Sequence, residues 1–296
     1  MSENVQRGEI LNEGKTKKIY TVAGDPAHCI VEYKNTITAF DDPAATKEFA
    51  TKAKHSNTVT SRVFELLNKV GIPTHYVKQL SDTEFIAEKC VMIPLEIVIR
   101  RYAVGSYLKR HPEFAVAEGA TPHRFETPVV EFFLKTTRGG LNDAAGKMIV
   151  EGLDPGKGEE DPFIEDPRAE VWRLMHPKKQ ASDPEVFLNR TIDASRVLSG
   201  AIIPEMEKAI TATLLALEKF FAARDFKLVD FKIEFGRTPD GRIVIADVID
   251  NDSWRLRDKE WKDVSKQSFR DGEDMSKIED KYALVAALLD ESRAGR

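Results

Sequence analysis

Apolar and polar positions along the chain switch period several times, and each switch predicts an element. Residues 8 to 90 are strand-rich: EGKTKKIYTV and CIVEYKNTITAF group β-branched and aromatic residues between turn signals such as AGDP. One helix interrupts them, SNTVTSRVFELLNKVG, with Ser56 or Asn57 as its cap and Gly71, followed by Pro73, as its stop. Glu84 to Arg110 then reads as strand, break at Pro94, strand, Gly105 and a short helix. From Thr136 to about Phe187 the periodicity lapses into Gly, Pro, Asp and Lys, the composition of a long irregular insertion. A lid over a site and a solvated excursion fit it equally. Helical spacing returns from Thr191 to Arg224, with Ala209, Leu214, Leu215, Leu217, Phe220 and Phe221 forming a core-packing stripe. The tail KIEDKYALVAALLDESRAGR predicts a terminal amphipathic helix.

Between the last two helices lies LVDFKIEFGRTPDGRIVIADVIDNDSWRL, Leu228 to Leu256, which predicts a hairpin about the turn TPDG. Period-2 alternation puts Asp230, Lys232 and Glu234 on one face and Phe231, Ile233 and Phe235 on the other. Folding back brings Asp247 roughly opposite Lys232 and Glu234. Facing acids cost about 0.2–1 kcal/mol each unless something compensates. A divalent cation would compensate, and oxygen-only ligands favour magnesium bridged to a phosphate. The alternative is an exposed edge whose acids are simply solvated, but Val244, Ile245, Ala246, Val248 and Ile249 surround Asp247 as in a central strand.

Composition narrows the class. The 296 residues allow one large domain or two smaller ones, and 42% hydrophobic with 31% charged residues is ordinary for a soluble globular protein. The net charge of -5 argues against a general nucleic-acid or anionic-membrane coat. The start MSENVQRGEI is polar and lacks the apolar core of a signal peptide, and no apolar run is long enough to span a bilayer, so a cytoplasmic protein is expected. Cys29 and Cys90 form no CxxC, and the six histidines have no zinc spacing.

Three further motifs carry chemistry. EGKTKKIY, Glu13 to Tyr20, almost matches a Walker A loop, but Gly8 to Gly14 leaves one intervening residue too many, and KKIYTV looks like a strand where that motif needs a helix. A glycine between two strands beside Lys15, Lys17 and Lys18 could instead cover a triphosphate, or be a basic surface hairpin. IRRYAVGSYLKR places two arginines before Gly105 and Ser106 at a helix start, an anion site or a plain strand end. In NDSWRL, Asp252 and Arg255 lie just past the hairpin, where they meet a substrate or each other.

In this order and spacing the motifs resemble the SAICAR synthetase family of purine biosynthesis. EGKTKKIY resembles its phosphate-binding loop, MIPLEIVIRRYAVGSYLKR its Arg-x-x-x-x-Gly-Ser substrate motif, LVDFKIEFG with IADVIDNDSWRL its metal and nucleotide core, and KQSFRD a further segment. The resemblance runs from about Leu11 to Arg270, and DVIDNDSWRL is closest in wording to the animal type fused to a carboxylase. It implies an α+β, bilobal fold: a β-rich, kinase-like ATP-covering lobe (1–90) and a larger α+β substrate and metal lobe (91–296) that includes the 136–187 insertion. The implied reaction condenses CAIR, the carboxylated aminoimidazole ribonucleotide, with L-aspartate at the expense of ATP and with Mg2+. By resemblance, Gly14, Lys15, Lys17, Lys135 and Glu234 contact the nucleotide, and Glu88 to Met92 hold adenine. Glu234 and Asp247 hold magnesium. Arg100, Ser106, Asp161, Asp252 and Arg255 line the CAIR site, with Asp230, Lys232 and Arg255 at the reacting groups. Partners would be small molecules, with no nucleic acid and no membrane; assembly varies in the family, and a homo-oligomer is compatible with it. Thr136 and Thr137 depart from the family, which commonly has an acid within two positions of Lys135, and assigning Asp161 reads DPFI across the long insertion. The rival is a small-molecule kinase of related lobe architecture, disfavoured by RRYAVGS and NDSWRL together; a nucleotide sensor would bind without turnover.

Overall fold

The computed structural model describes residues 5–38, 46–143, 145–270 and 272–294; Asp271, the last residue of KQSFRD, lies outside them. From the N-terminus run β1 (Arg7–Glu13), β2 (Lys17–Val22), β3 (Asp25–Tyr33) and the short β4 (Thr36–Thr38) and β5 (Thr46–Glu48). Helix α1 (Lys52–Lys69) precedes β6 (Tyr76–Gln79), β7 (Glu84–Glu88) and β8 (Val91–Met92). Next come β9 (Leu95–Tyr102), α2 (Ser106–Arg110), β10 (Arg124–Leu134), β11 (Leu141–Asn142) and β12 (Met148–Val150). The strands β13 (Phe163–Ile164), β14 (Val171–Met175) and β15 (Phe187–Asp193) lead to α3 (Ile203–Ala222). Finally come β16 (Lys227–Arg237), β17 (Ile243–Ala246), β18 (Trp254–Arg257), α4 (Gln267–Arg270) and α5 (Met275–Ala294). The fold is α+β, as the resemblance implies, and no helix among the described residues is long and apolar enough to cross a membrane.

The chain forms two compact units: Met1–Val91 with Ala216–Leu228 and Gly236–Arg296, and Met92–Leu215 with Val229–Phe235. These differ from two consecutive lobes of 1–90 and 91–296. In this division the C-terminal residues group with the N-terminal ones. The cause is hydrophobic: Phe269, Ile278 and Tyr282 share a buried cluster with Ile37 and Phe49.

In the first unit five antiparallel strands lie in the order β1-β2-β3-β7-β6. Val22, Ile30 and Ile86 form a small core on this sheet. Helix α1 buries Val59, Val63, Phe64 and Leu67, the i, i+4, i+5, i+8 stripe of an amphipathic helix. It begins four residues before the expected cap, because Asn35 Oδ1 accepts the Ala53 N–H at 3.0 Å and caps it from a distance. Ser56 and Asn57 are therefore interior, and Asn57 Nδ2 donates instead to the Ser81 and Glu84 carbonyls. The stop at Gly71 holds: φ is +81° there, and its N–H and that of Ile72 return to Asn68 and Leu67 in a Schellman motif.

The second unit is built on one sheet in the order β15-β14-β13-β10-β9-β16. The 136–187 segment is thus less irregular than its composition implies, since it supplies β13 and β14. Trp172 and Leu174, both fully buried, alternate on β14 between turns rich in Gly, Pro and Asp. Residues 191–202 are not α-helical either: they hold the end of β15 and two short 3-10 turns, Ala194–Arg196 and Gly200–Ile202. Ile192 pairs with Trp172, and the Asp193 carboxylate accepts from the Ser195 N–H and hydroxyl, closing a turn before α3.

Candidate active site

The central strand of the second unit, β9, organises a stripe of charge. Its neighbours are antiparallel, with Val129 and Asp230 opposite Arg100, and Glu131 and Lys232 opposite Val98. Because side chains alternate, Arg100 and Glu96 of β9 share a face with Glu131 of β10 and with Asp230, Lys232 and Glu234 of β16. The face is not solvated: Arg100, Glu131, Asp230 and Glu234 are each only 3–4% exposed. Along β16 the apolar residues and the carboxylates Asp230 and Glu234 are buried, while Lys232 between them is half-buried.

Arg100 anchors one end of the stripe. Its Nε donates to Glu131 at 2.5 Å, Nη1 to Asp230 at 2.6 Å and Nη2 to the Ser106 hydroxyl at 3.1 Å. Burial works to lower its pKa, but the two carboxylates outweigh burial and push it up. Ser106 opens α2 directly after Gly105, whose φ of +61° turns the chain into the helix. Glu131 also pairs with Arg110, which lies against the rings of Phe133 and Phe163 at 5.5 and 5.1 Å. At the other end, Lys232 Nζ reaches Glu96 at 3.1 Å and Glu234 at 2.8 Å, and Lys135 Nζ meets the same Glu234 oxygen at 2.6 Å. Alternating signs let the charges compensate one another where solvent cannot.

Asp161 is held by the residue that departs from the family pattern. Its carboxylate accepts the Thr136 N–H at 2.8 Å, and its own N–H donates to the Thr136 hydroxyl at 3.0 Å. This reciprocal pair supports a non-glycine φ of +50°. Burial pushes the Asp161 carboxyl up to about 6.

The first unit carries the remaining predicted residues, mostly on loops. Gly14 turns β1 into β2 with its N–H on the Lys17 carbonyl, and the turn is stapled by Thr36 to the Lys15 carbonyl at 2.6 Å and by Lys34 to the Gly14 carbonyl. A Cβ built at Gly14 meets nothing nearer than 3.8 Å, so internal packing does not demand glycine there. Lys17 pairs with the Asp247 carboxylate. Asp247 is not inside a strand as expected; β17 ends at Ala246 and Asp247 adopts φ +62°. Buried His75 fixes that conformation by donating Nε2–H to the Asp247 carbonyl at 2.9 Å, and burial pushes its imidazole down to about 4, keeping it neutral.

Asp252 follows in the same turn, held by Lys52, Lys266 and Tyr282, and Arg255 lies half-buried on β18. Glu88 pairs with Arg242 at 3.0–3.1 Å. Val91 and Met92 are 69% and 42% exposed, apolar side chains left uncovered by the chain itself. Among the described residues no group of three His, Cys, Asp or Glu is placed to hold a metal.

Glu96, Glu131, Arg110, Lys52, His75 and Tyr282 were not singled out by the motifs. Only Glu96 and Glu131 carry a signal in the sequence: each is a lone acid inside an apolar run, PLEIVI and VVEFFL, and a buried strand charge needs a partner.

Comparison with known proteins bears directly on this arrangement. The family model described as SAICAR synthetase matches residues 10–154 and 158–287. The chain belongs to the SAICAR synthetase family. It is 37% identical over 249 residues to a phosphoribosylaminoimidazole-succinocarboxamide synthase of Roseiflexus castenholzii, covering 84% of this chain and 80% of that one. Among solved structures, the same synthase from Ehrlichia chaffeensis superposes with a TM-score of 0.70 at 25% identity, over 95% of this chain and 98% of the other. A SAICAR synthetase in complex with ADP superposes with a TM-score of 0.68 at 26% identity, over 95% and 97%. The chain is accordingly an ATP-dependent ligase that condenses CAIR with L-aspartate in purine biosynthesis, and a kinase reading is not favoured.

Proposed function

We propose that ligation runs through an acyl phosphate, with the residues above in defined roles. A carboxylate is a poor acyl donor. An oxygen of the CAIR carboxylate attacks the γ-phosphorus of ATP, the bond to the β-phosphate oxygen breaks, and ADP leaves. The amine of L-aspartate, having lost a proton, then attacks the acyl carbon and expels phosphate, which carries the former carboxylate oxygen away. The observation that carries this reading is the buried stripe on β9, β10 and β16: fixed cations and anions alternate there and need little reorganisation as charge moves.

In this reading Arg100, Ser106 and Asp161 of one unit are CAIR-binding residues, and Asp252 and Arg255 of the other are proposed, by themselves, as CAIR contacts. Asp230 keeps Arg100 oriented, and Lys232 stabilises charge at the reacting carboxylate. Gly14, Lys15 and Lys17 contact the ATP phosphates, Lys135 adds a nucleotide contact, and adenine lies on the backbone of Glu88 to Met92. Glu234 in one unit and Asp247 in the other are proposed, each by itself, as magnesium-facing carboxylates. Carboxylates are hard oxygen donors of the kind that suits magnesium, which typically uses one or two of them together with substrate phosphates. When bound it supplies neutralisation of phosphate charge. The net charge of -5 and the pathway support a cytoplasmic enzyme acting on small molecules; a homo-oligomer is compatible with this reading.

The route is tested with CAIR labelled with 18O in its carboxylate. The expected result is one labelled oxygen in the released phosphate per turnover, the other staying in the product amide; unlabelled phosphate, with the expelled label found in water, would overturn the acyl-phosphate route.

A further inference from the structure

Asp252 sits between β17 and β18, and three segments distant in sequence converge on its carboxylate. Lys52, the first residue of α1, approaches Oδ2 at 3.4 Å; Lys266 donates to the same oxygen at 3.2 Å; the Tyr282 hydroxyl of α5 donates to Oδ1. Lys52 is the unusual member. It is 0% exposed, and its ammonium has no hydrogen-bond partner that satisfies it. Lysine is almost never fully enclosed, since removing an ammonium from water is costly. Enclosure also keeps it from touching any ligand, so its charge acts on what lies beside it: Asp252, and the face of the Tyr282 ring at 5.7 Å. That ring is itself immobilised, edge-on to Phe49 at 5.4 Å and packed with Ile37, Phe269 and Ile278.

Burial would raise the Asp252 carboxyl, but Lys52, Lys266 and the Tyr282 hydroxyl hold it well below the usual range. Its buried neighbour Asp250 is pushed up by burial and by Asp252. The two acids of one turn are thus driven apart in proton affinity by the placement of Lys52 and its companions. Asp252 keeps one accessible edge, with 18% of its side chain exposed.

We propose that Lys52 and Tyr282 are positioning residues for Asp252, holding its carboxylate in one orientation toward substrate and linking α1 and the C-terminal helix α5 to the substrate turn. This rests on the reading of Asp252 as a CAIR-site residue. The buried ammonium is retained for the geometry of that carboxylate, and Tyr282 sets its rotation from the opposite oxygen.

The test is a double-mutant cycle in kcat/KM for CAIR with Tyr282→Phe, Lys52→Gln and Asp252→Asn. Loss of one hydrogen bond to a charged group corresponds to about a tenfold fall for Tyr282→Phe, and more for Asp252→Asn. A positioning residue that acts through Asp252 has nothing left to do once the carboxylate is gone, so Tyr282→Phe/Asp252→Asn should be no worse than Asp252→Asn alone. Multiplying losses would overturn the proposal, as would normal kcat/KM in Tyr282→Phe while Asp252→Asn is impaired. Near-normal Asp252→Asn would instead remove the underlying reading of Asp252. If Lys52→Gln fails to fold, the Tyr282 arm of the cycle decides alone.

Discussion

The stripe on β9, β10 and β16 and the turn from Asp247 to Asp252 both present charged side chains, but they are held by different means. On the strands, backbone register does the placing: Arg100, Asp230 and Glu131 meet because their strands pair, and each charge finds its opposite one strand away. In the turn there is no ladder. Asp247 adopts a left-handed conformation, and the segment is clamped from outside by His75 on the Asp247 carbonyl, Thr60 on the Ile249 carbonyl and Lys52 beside Asp252. A strand-borne site is therefore part of the fold's own stability, whereas a turn-borne one can lose a contact and leave the fold standing.

Arg100→Met should break the first arrangement most severely. It leaves Glu131 and Asp230 buried without their common partner, which costs about 3–5 kcal/mol by denaturant unfolding. A fold as stable as wild type would mean that the stripe is not a stability element. Next in size is Glu234→Ala, predicted to lower kcat by about a hundredfold or more. Asp247→Ala should cost as much activity with much less stability, because Asp247 is turn-borne. Equal destabilisation of the two would erase the distinction drawn here.

Asp161→Asn sharpens the comparison through pH. Burial raises the Asp161 carboxyl to about 6, so the folded protein holds that proton more tightly than the unfolded chain. The stability this contributes is full below about pH 4 and is lost as pH rises through about 6. The stability difference between Asp161→Asn and wild type should therefore shift in favour of the variant by about 2–3 kcal/mol from pH 4 to 7. A pH-independent difference in urea unfolding would show that Asp161 has an ordinary affinity for its proton. Smallest is Gly14→Ala. With nothing within 3.8 Å of the added methyl, Tm should move by about 1 °C or less, while KM for ATP rises a few-fold, roughly 1 kcal/mol of lost binding. A fall in Tm without a change in KM would make Gly14 a folding residue only.

The same contrast explains what could be read from the residues alone. Alternation along DFKIEF gave Asp230, Lys232 and Glu234 a common face because period 2 is a local property, and the Schellman stop at Gly71 is equally local. The start of α1 was misplaced because the group that accepts its Ala53 N–H, Asn35 Oδ1, lies 18 residues upstream of Ala53. Asp247 read as a strand residue because the clamp on it comes from His75, far away in sequence. Lys52 left no trace at all. Nothing in EFATKAKHS distinguishes a lysine that will be sealed beside Asp252 from one on a solvated helix end. The 136–187 segment misled by composition, since its turn residues outnumber the two short strands that carry it into the sheet.

The central claim, that these charges serve one ligation, is tested most directly by following ADP release with ATP and magnesium, adding CAIR and L-aspartate separately and then together. Sustained release that requires both, with SAICAR forming in step, is the predicted result. Full turnover without aspartate, accompanied by a stable phosphorylated small molecule, would contradict it.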